Sequence, residues 1–372
     1  MKGAQSRLHA CLITLDMAND PPGRDEAGTR ALARRQATRH STITDVADAA
    51  GVSIKTVSRV FNDEPNVRPL TRERVLKAAG DLDYHPNVAA RSLAGRRSFL
   101  IGLAYENPSP NYVVDLQTGA LERLAGERYR LLVLPFADVA AASGRMQAIA
   151  RASGLDGVVL APPLCDDAAT VAELEACGLP YARIAPTSGG SQAPDVAMDD
   201  RKAARAVVDH LVGLGHKRIA IVRGDPTHAS AAARVEGYHA GLKAHGLAAD
   251  PALEAQGAYT FASGYEAGRA LLALAERPTA IFASNDDMAA GVINAAYEAG
   301  VSVPDQLSVV GFDDSNIASV VWPRLTTIHQ PIRDMAREAT GALLSLIEHE
   351  ETVPHQMLPF QLIVRGSTGP AG

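Results

Sequence analysis

Polar and aromatic side chains follow several apolar runs in the last three quarters of the chain, either directly or, for Arg234, near the start of the next helix. They provide carboxylates, an amide, a guanidinium group and aromatic rings, and they are Tyr105, Asn107, Asp199, Arg234, Tyr259, Phe261, Asn285 and Asp313. Planar polar groups can bond vicinal hydroxyls, while aromatic rings pack against the apolar face of a sugar ring. These residue types therefore predict a binding site for a sugar-like ligand.

Short apolar runs alternate with amphipathic stretches from residue 99 onward and must position these side chains. The predicted strands are FLIGLAY, YRLLVLPF, DGVVLAP, PYARIAP, KRIAIVRG, TAIFAS and LSVVGF, and a late helix, RDMAREATGALLSLIEHE, precedes a last strand, QMLPFQLIVRGS. Strands that alternate with helices favour parallel sheets covered on both faces, here in two doubly wound lobes. The chain is expected to cross between the lobes near LTTIHQP. Ligands of such sheets bind beyond the carboxyl ends of the strands, where the side chains above stand.

Residues 41 to 97 carry a different set of motifs, which predicts a compact helical unit. Thr42 can accept a bond from the free backbone amides at a helix start, and Asp45 can reach back to complete a capping box. The helix then ends at Gly51, because glycine takes the left-handed conformation that closes a helix.

A second helix is predicted from Ile54 to Asn62, with Ser53 as its cap. Its buried face is formed by Val57, Val60 and Phe61. Two short helices joined by a tight glycine turn are typical of a helix-turn-helix unit.

Two further helices complete this region. Thr71 is expected to cap a third helix that runs to about Leu82. After Pro86, Asn87 can cap a fourth, VAARSLA, which ends at Gly95 and is too short to be stable alone. We expect this fourth helix to become ordered only against DNA and its twin in a dimer.

The runs TITDVADAAGVSIKTVSRVFN and VLKAAGDLDYHPNVAARSLAG resemble the amino-terminal signature of the lactose-repressor (LacI/GalR) family of bacterial transcription regulators. The resemblance implies that the second helix lies in the major groove of DNA. At the matching positions, base-edge contacts are expected from Ile54, Lys55 and Arg59, and a minor-groove wedge from Leu93. Phosphate contacts are expected from Thr42, Ser53, Thr56 and Asn87. The alternatives are a solvated surface charge for Arg59 and a core position for Leu93.

The resemblance extends from residue 98 to about 366, through HLVGLGHKRIAIVRG, ASNDDMAAGV, LSVVGFDD and PRLTTIHQP. It implies a sensor domain with the fold of periplasmic sugar-binding proteins. By position, the effector contacts fall on Arg234, Tyr259, Asn285 and Asp313, and Tyr105 is added because it follows the first predicted strand. The lactose repressor has a sugar-binding Asp in its amino-terminal lobe where this chain has Ala185, with Arg183 nearby, so galactosides are not assumed as effectors.

Structural roles remain open for several of these residues. Arg234 could pair with Glu236 or another surface acid, and Asp313 with Asp314 could cap a helix. Trp322 could line the cleft or pack between the lobes. The scattered histidines are expected to be structural, and they include His210, His216 and His329.

The charge of the chain is divided between its two ends. Residues 1–97 hold 16 Lys and Arg against 11 Asp and Glu, net +5, and the remainder holds 20 against 31, net −11, which gives the total of −6. A basic head joined to an acidic body favours DNA binding by the head.

The motifs divide the chain into four parts. We expect a disordered leader at 1–40, a helix-turn-helix domain at 41–85, a hinge and linker at 86–97, and a two-lobed effector-binding and dimerisation domain at 98–372.

Composition and motifs restrict the function classes. The chain has 372 residues, 47% of them hydrophobic, no apolar run near the ~20 residues of a membrane span, and three cysteines without metal-ligand spacing. We expect a cytoplasmic, nucleoid-associated homodimer, without cofactor or metal, that binds an inverted-repeat operator.

The sequence disfavours two other functions. Neither a P-loop nor GxGxxG or GxSxG occurs, which disfavours an α/β enzyme. A sugar-binding transport receptor is the other alternative, disfavoured by the helical head and by the lack of a signal peptide. The sequence therefore predicts an allosteric repressor of carbohydrate genes. Its initiator methionine is expected to be Met1 or Met17.

Overall fold

The computed structural model describes residues 41–61, 64–84, 97–106, 109–187, 191–349 and 354–372. The chain divides into two units, the first of which is described here over 41–84 and the second over 97–372. Among the described helices, none combines the length and apolar character needed to cross a membrane.

The first unit consists of three helices around a small core. They are α1 (Ile43–Ala50), α2 (Ile54–Phe61) and α3 (Pro69–Asp81). The core side chains are Val46, Ala47, Ala50, Val57, Val60, Val75 and Ala79. The predicted capping box is confirmed, since Thr42 accepts from the Asp45 amide and the Asp45 carboxylate accepts from the Thr42 amide. Gly51 has φ 60°, so the predicted end of α1 is confirmed too.

The predicted start of the third helix was wrong. Thr71 lies inside α3, which begins at Pro69 after Arg68. Proline suits the first helical position because its φ is already helical. A backbone N–H at that position would have no partner within the helix, so its absence in proline costs no hydrogen bond. The predicted fourth helix, VAARSLA, lies outside the described residues.

The second unit has two lobes, each built on a six-stranded sheet. The first lobe contains β1 (Leu100–Tyr105), β2 (Arg130–Pro135), β3 (Gly157–Leu160), β4 (Tyr181–Ile184), β5 (Asp195–Ala197) and β11 (His355–Met357). The second contains β6 (Ile219–Arg223), β7 (Glu254–Gln256), β8 (Ala280–Ala283), β9 (Ser308–Asp313), β10 (Thr326–His329) and β12 (Gln361–Ile363). All neighbouring strands are parallel except β10 and β12.

Ten helices pack around these sheets. They are α4 (Pro110–Leu124), α5 (Val139–Ala142), α6 (Met146–Ser153), α7 (Ala168–Cys177), α8 (Asp200–Gly213), α9 (Ala229–Ala244), α10 (Phe261–Leu272), α11 (Asp286–Glu298), α12 (Asn316–Val320) and α13 (Ile332–Glu348), in the part of the chain that the structure describes. Short 3-10 turns occur at Leu164–Asp166 and Pro251–Leu253.

The two sheets share one strand order, although the last strand is parallel to its neighbour in the first sheet and antiparallel in the second. Their strand orders are β2-β1-β3-β4-β5-β11 and β7-β6-β8-β9-β10-β12, so the first strand of each lobe lies inside the sheet. The prediction of two doubly wound lobes is confirmed. Each lobe places the carboxyl ends of its parallel strands at one edge, where the following helices begin.

The carboxyl-terminal part of the chain differs from the sequence prediction. The segment QMLPFQLIVRGS was predicted as one strand, but it forms β11 in the first lobe and β12 in the second. The segment around LTTIHQP includes β10, which was not predicted from the sequence. The chain crosses between the lobes after this strand, because the next helix, α13, packs on α4 of the first lobe. The chain therefore passes between the lobes three times, after β5, β10 and β11.

Candidate functional site

The two lobes face each other across a cavity, whose space of about 410 Å³ is partly open to solvent. The first lobe contributes Ser109, Tyr112, Pro162 and Ala185. The segment from α8 onward contributes Asp200, His228, Ser230, Arg234, Tyr259, Asn285, Asp313 and Gln330. The lining includes the amino ends of four helices, because Ser109, His228 and Asn285 precede α4, α9 and α11, and Asp200 is the first residue of α8.

Arg234 is the central cation of this cavity. Its Nε donates to Asp200 Oδ1 over 2.8 Å, one Nη donates to the Ser284 carbonyl, and the other lies 3.3 Å from the Gln330 side-chain oxygen. The guanidinium also stacks on Phe312, 3.7 Å from the ring centroid. Burial alone would lower the pKa of Arg234, but Asp200, Tyr259 and Asp313 together raise it, so Arg234 stays charged. The alternative partner Glu236 is wrong, since that side chain pairs with Arg201.

Asp313 ends β9 and lies buried in the same cavity. One of its carboxylate oxygens accepts from Gln330 over 3.4 Å. Burial raises the pKa of Asp313 well above its ordinary value, while Arg234 lowers it. Asp313 does not cap a helix; its neighbour Asp314 instead pairs with Arg365 at 2.6 Å and His329 at 3.1 Å.

Tyr259 forms another part of the wall, with its side chain 5% exposed. Its hydroxyl is buried and has no hydrogen-bond partner among the described residues, although Ser230 is close enough to lower its pKa. Burial has the larger effect and raises that pKa. The ring lies against Gly224, where a Cβ atom would come within 2.2 Å of the Tyr259 Cζ. A buried hydroxyl without a partner is costly, and it marks a place where a ligand can bond.

Asn285 lines the cavity but is also bound within the protein. Its side-chain oxygen accepts from the Met288 amide over 2.9 Å, and its Nδ2 donates to the Tyr259 carbonyl over 3.0 Å. Asn285 thus fixes the start of α11 and the backbone of Tyr259.

Strained backbone accompanies the lining. Ala185, Tyr259 and Asp313 have φ values of 49°, 57° and 122°, a region that side chains other than glycine seldom adopt. Such outliers persist where the surrounding structure holds them, and they concentrate at functional sites. Arg183, two residues before Ala185, is buried elsewhere and pairs with Asp195 at 3.3 Å.

Two side-chain contacts bridge the lobes beside the cavity. Glu106, after β1, lies 3.0 Å from His228 Nε2, before α9. Ser109 donates to Asp287 over 2.7 Å. These contacts join the two lobes beside the cavity.

Several residues expected at the site lie elsewhere. Tyr105 is buried with its hydroxyl 3.1 Å from Gln117, and it does not line the cavity. Asp199 caps α8 instead. Trp322 is 84% exposed, so both roles considered for it were wrong. Asn87, Leu93 and Asn107 fall outside the described residues.

Other lining residues were not predicted from the sequence: Ser109, Tyr112, Pro162, Asp200, His228, Ser230 and Gln330. Gln330 follows β10 and Asp200 nearly follows β5, so the rule that located Asp313 would have found both if these short strands had been recognised. The three histidines expected to be structural do bond within the fold: His210 with Thr368, His216 with Thr279 and Ser308, and His329 with Asp314.

The first unit presents a polar surface along α2. Val57 and Val60 are buried, whereas Ile54 is 48% exposed and Lys55 is exposed beside it. Arg59 lies 3.3 Å from Glu64 in a half-exposed ion pair, which is weak and leaves the guanidinium available. The Ser53 hydroxyl caps α2 by accepting from the Thr56 amide over 3.1 Å.

A helix-turn-helix unit followed by a two-lobed α/β unit with a cavity between the lobes defines a class of bacterial regulatory proteins. The model described as "Bacterial regulatory proteins, lacI family" matches residues 42–87, and "Periplasmic binding protein-like domain" matches residues 208–368. The chain belongs to the lacI family. It is 34% identical to catabolite control protein A of Priestia megaterium, over 88% of this chain and 99% of that protein.

Solved structures support the same placement. The lac repressor dimer bound to operator and the anti-inducer ONPF aligns with a TM-score of 0.77 at 32% identity, over 89% of this chain and 100% of that one. The complex of the transcriptional regulator CelR with cellobiose aligns with a TM-score of 0.68 at 30% identity, over 88% and 99%. These relatives are named as a control protein, a repressor and a regulator, and none is named as an enzyme.

Proposed function

We propose that this chain is a sequence-specific DNA-binding repressor of carbohydrate-utilisation genes, whose affinity for its operator is controlled by a small sugar-like effector. The observation that carries the proposal is that one chain combines the helix-turn-helix unit with a cavity between two lobes. The relatives support it, because one is described with operator and anti-inducer and another with cellobiose. We propose no catalytic activity.

DNA recognition is assigned to α2. Ile54, Lys55 and Arg59 lie on its outer surface and would meet base edges in the major groove. Thr42, Ser53 and Thr56 stand at the amino ends of α1 and α2, where helix amides also favour a phosphate. Leu93 and Asn87 keep their proposed roles as minor-groove wedge and phosphate contact.

The effector is assigned to the cavity, with Arg234, Asn285, Asp313 and Tyr259 as its contacts. Tyr105 is withdrawn from this set. A ligand bound between the lobes stabilises the closed arrangement more than the open one, and this difference shifts the population of DNA-binding states.

The chain is proposed to act in the cytoplasm as a homodimer on an inverted-repeat operator. An exposed apolar groove in the second lobe fits this assembly, because Phe261, Tyr297, Val320 and Trp322 are 45%, 82%, 69% and 84% exposed. Exposed apolar patches of this kind mark protein interfaces. Residues 41–85, 86–97 and 98–372 are proposed as head, hinge and sensor.

Fluorescence anisotropy tests the proposal directly. A labelled fragment from upstream of the protein's own gene is titrated with the full chain at fixed salt, and mono- and disaccharides are then added. We expect binding that exceeds a scrambled fragment and that one sugar releases. Equal affinity for the scrambled fragment contradicts sequence-specific recognition at that site.

A further inference from the structure

The charges that line the cavity do not suit an anionic ligand. Among the described lining residues, Arg234 is the only Lys or Arg, and it faces two carboxyl groups, Asp200 and Asp313. Its Nε donates to Asp200 over 2.8 Å, and its other nitrogens bond the Ser284 carbonyl and Gln330. The single guanidinium is therefore already neutralised inside the protein.

The other basic side chain of the lining, His228, adds no uncompensated positive charge. It is buried, and its Nε2 lies 3.0 Å from the Glu106 carboxylate. Burial lowers the pKa of His228, while Glu106 raises it. In its neutral form His228 carries no charge, and in its protonated form Glu106 balances it.

The protonation state of Asp313 determines whether the net charge of the cavity lining is zero or negative. Burial raises the pKa of Asp313, and Arg234 opposes that shift. With Asp313 protonated, Arg234 and Asp200 cancel; with Asp313 ionised, one negative charge remains. The lining is not positive in either state.

The helix ends around the cavity could still attract an anion, because the amino end of a helix carries a partial positive charge. Each of the four helices, however, already has an acidic side chain at that end. The pairs are Asp287 with Ser109 at α4, Asp200 within α8, Glu106 with His228 at α9, and Asp286 within α11. The helix dipoles are thus offset before any ligand arrives.

We propose that the cavity binds an uncharged polyhydroxylated ligand, such as a neutral sugar, and excludes uronic acids and sugar phosphates. This inference rests on the proposed function, since it specifies the effector of the same site. The Tyr259 hydroxyl, which is buried without a hydrogen-bond partner among the described residues, and the Asp313 carboxyl offer bonds to hydroxyl groups, which donate as well as accept. An anion would instead be desolvated beside carboxylates without a free cation.

Matched sets of sugars test the inference on the full-length protein. The sets are glucose, glucuronate and glucose 6-phosphate; galactose, galacturonate and galactose 6-phosphate; and ribose with ribose 5-phosphate, with cellobiose as a larger neutral probe. Calorimetric titration and thermal shift are expected to show binding of a neutral member, with each charged counterpart at least about 100-fold weaker.

Variants of the carboxyl groups give a second readout. Asp200→Asn leaves Arg234 without its counterion, so we expect uronate affinity to rise at least about tenfold over the native chain. Asp199→Asn is the matched control, because this neighbour lies at the same helix end but outside the cavity lining. Asp313→Asn removes the other carboxyl group and leaves the pair between Arg234 and Asp200 intact. This variant replaces Asp200→Asn in the same uronate titration if Asp200→Asn fails to fold.

A uronate or sugar phosphate that binds the native chain as tightly as its neutral counterpart would overturn the inference. The proposed function would survive, because a sugar would still occupy the cavity. The absence of binding by every member of all three classes would contradict the proposed sugar effector itself, and this inference with it.

Discussion

Glu106 and His228 face each other across the cleft, with 3.0 Å between a carboxylate oxygen and Nε2, and they belong to different lobes. Glu106→Gln weakens this contact, so we expect effector affinity to fall about three- to tenfold, in line with one hydrogen bond of about 0.5–1.5 kcal/mol. Small-angle scattering should show a more open unliganded protein. Glu127→Gln is the control, since Glu127 pairs only with Arg123 in the first lobe. Unchanged affinity would mean that the pair does not contribute to closure.

Asp313→Ala should abolish the response to the effector while operator binding remains. The reason is that the buried Asp313 lines the cavity, whereas the DNA-binding surface belongs to the first unit. Anisotropy with and without ligand measures both properties on one sample. Asp305→Ala, at an exposed position of the second lobe, should behave as the native chain does. A full ligand response in Asp313→Ala would remove Asp313 from the site.

Gly224→Ala should weaken ligand binding at least about tenfold, because the new Cβ would lie 2.2 Å from Tyr259 Cζ and displace the ring. Isothermal titration gives the affinity, and circular dichroism checks the fold. Gly213→Ala is the matched control, since a Cβ at that position would meet no described atom within 4 Å apart from its chain neighbours and the backbone of its own helix. If both variants bind equally well, the position of the Tyr259 ring does not matter to the ligand.

Arg59→Ala should cost about 1–3 kcal/mol of specific operator binding and relax the choice of base at one position. The half-exposed ion pair with Glu64 is too weak to withhold the guanidinium from DNA. Anisotropy against an operator and its single-base variants measures the effect. Lys77→Ala, on the exposed surface of α3, should leave the preference among sequences unchanged. Retention of the native base preference in Arg59→Ala would assign readout to other residues.

Asp286→Asn should reduce the pH dependence of stability in acid. Burial raises the pKa of Asp286 from 3.8 to about 7, opposed by bonds from Thr327 and Ser315. Because the folded pKa is raised, this group's contribution to the free energy of unfolding is greatest below about pH 4 and falls as the pH rises to about 7. The variant should therefore gain stability relative to the native chain between pH 5 and pH 8. Urea unfolding at both values measures this difference, and Asp305→Asn should show none.

Local patterns predicted the helical head well. The capping box of Thr42 and Asp45 and the glycine end of α1 depend on residues close in sequence, so the sequence contains all the information needed. The start of α3 was missed because Pro69 and Thr71 are both plausible first-turn residues, and proline took the position.

Parts of the cavity could not be predicted locally. Tyr105 ends a strand as expected, but strand position does not reveal which face a side chain takes, and Tyr105 bonds Gln117 of α4. The partner of Arg234 is Asp200, 34 residues away, rather than its near neighbour Glu236, because the topology brings α8 beside α9. The strands β5, of three residues (DVA), and β10 (TTIH) contain no continuous apolar run, so the pattern that revealed the other strands is missing there.

The three passages of the chain between the lobes have a consequence for synthesis on the ribosome. The first lobe lacks α13, which covers α4, and its edge strand β11 until residue 357 has been made. Nearly all of the second lobe emerges before the first can be completed, whereas the helical head needs nothing beyond residue 84 for its own core. The nascent chain can therefore fold a DNA-binding head long before it holds a finished sensor. If synthesis ended in that interval, the released chain would hold a folded DNA-binding head but no complete sensor with which to respond to a ligand.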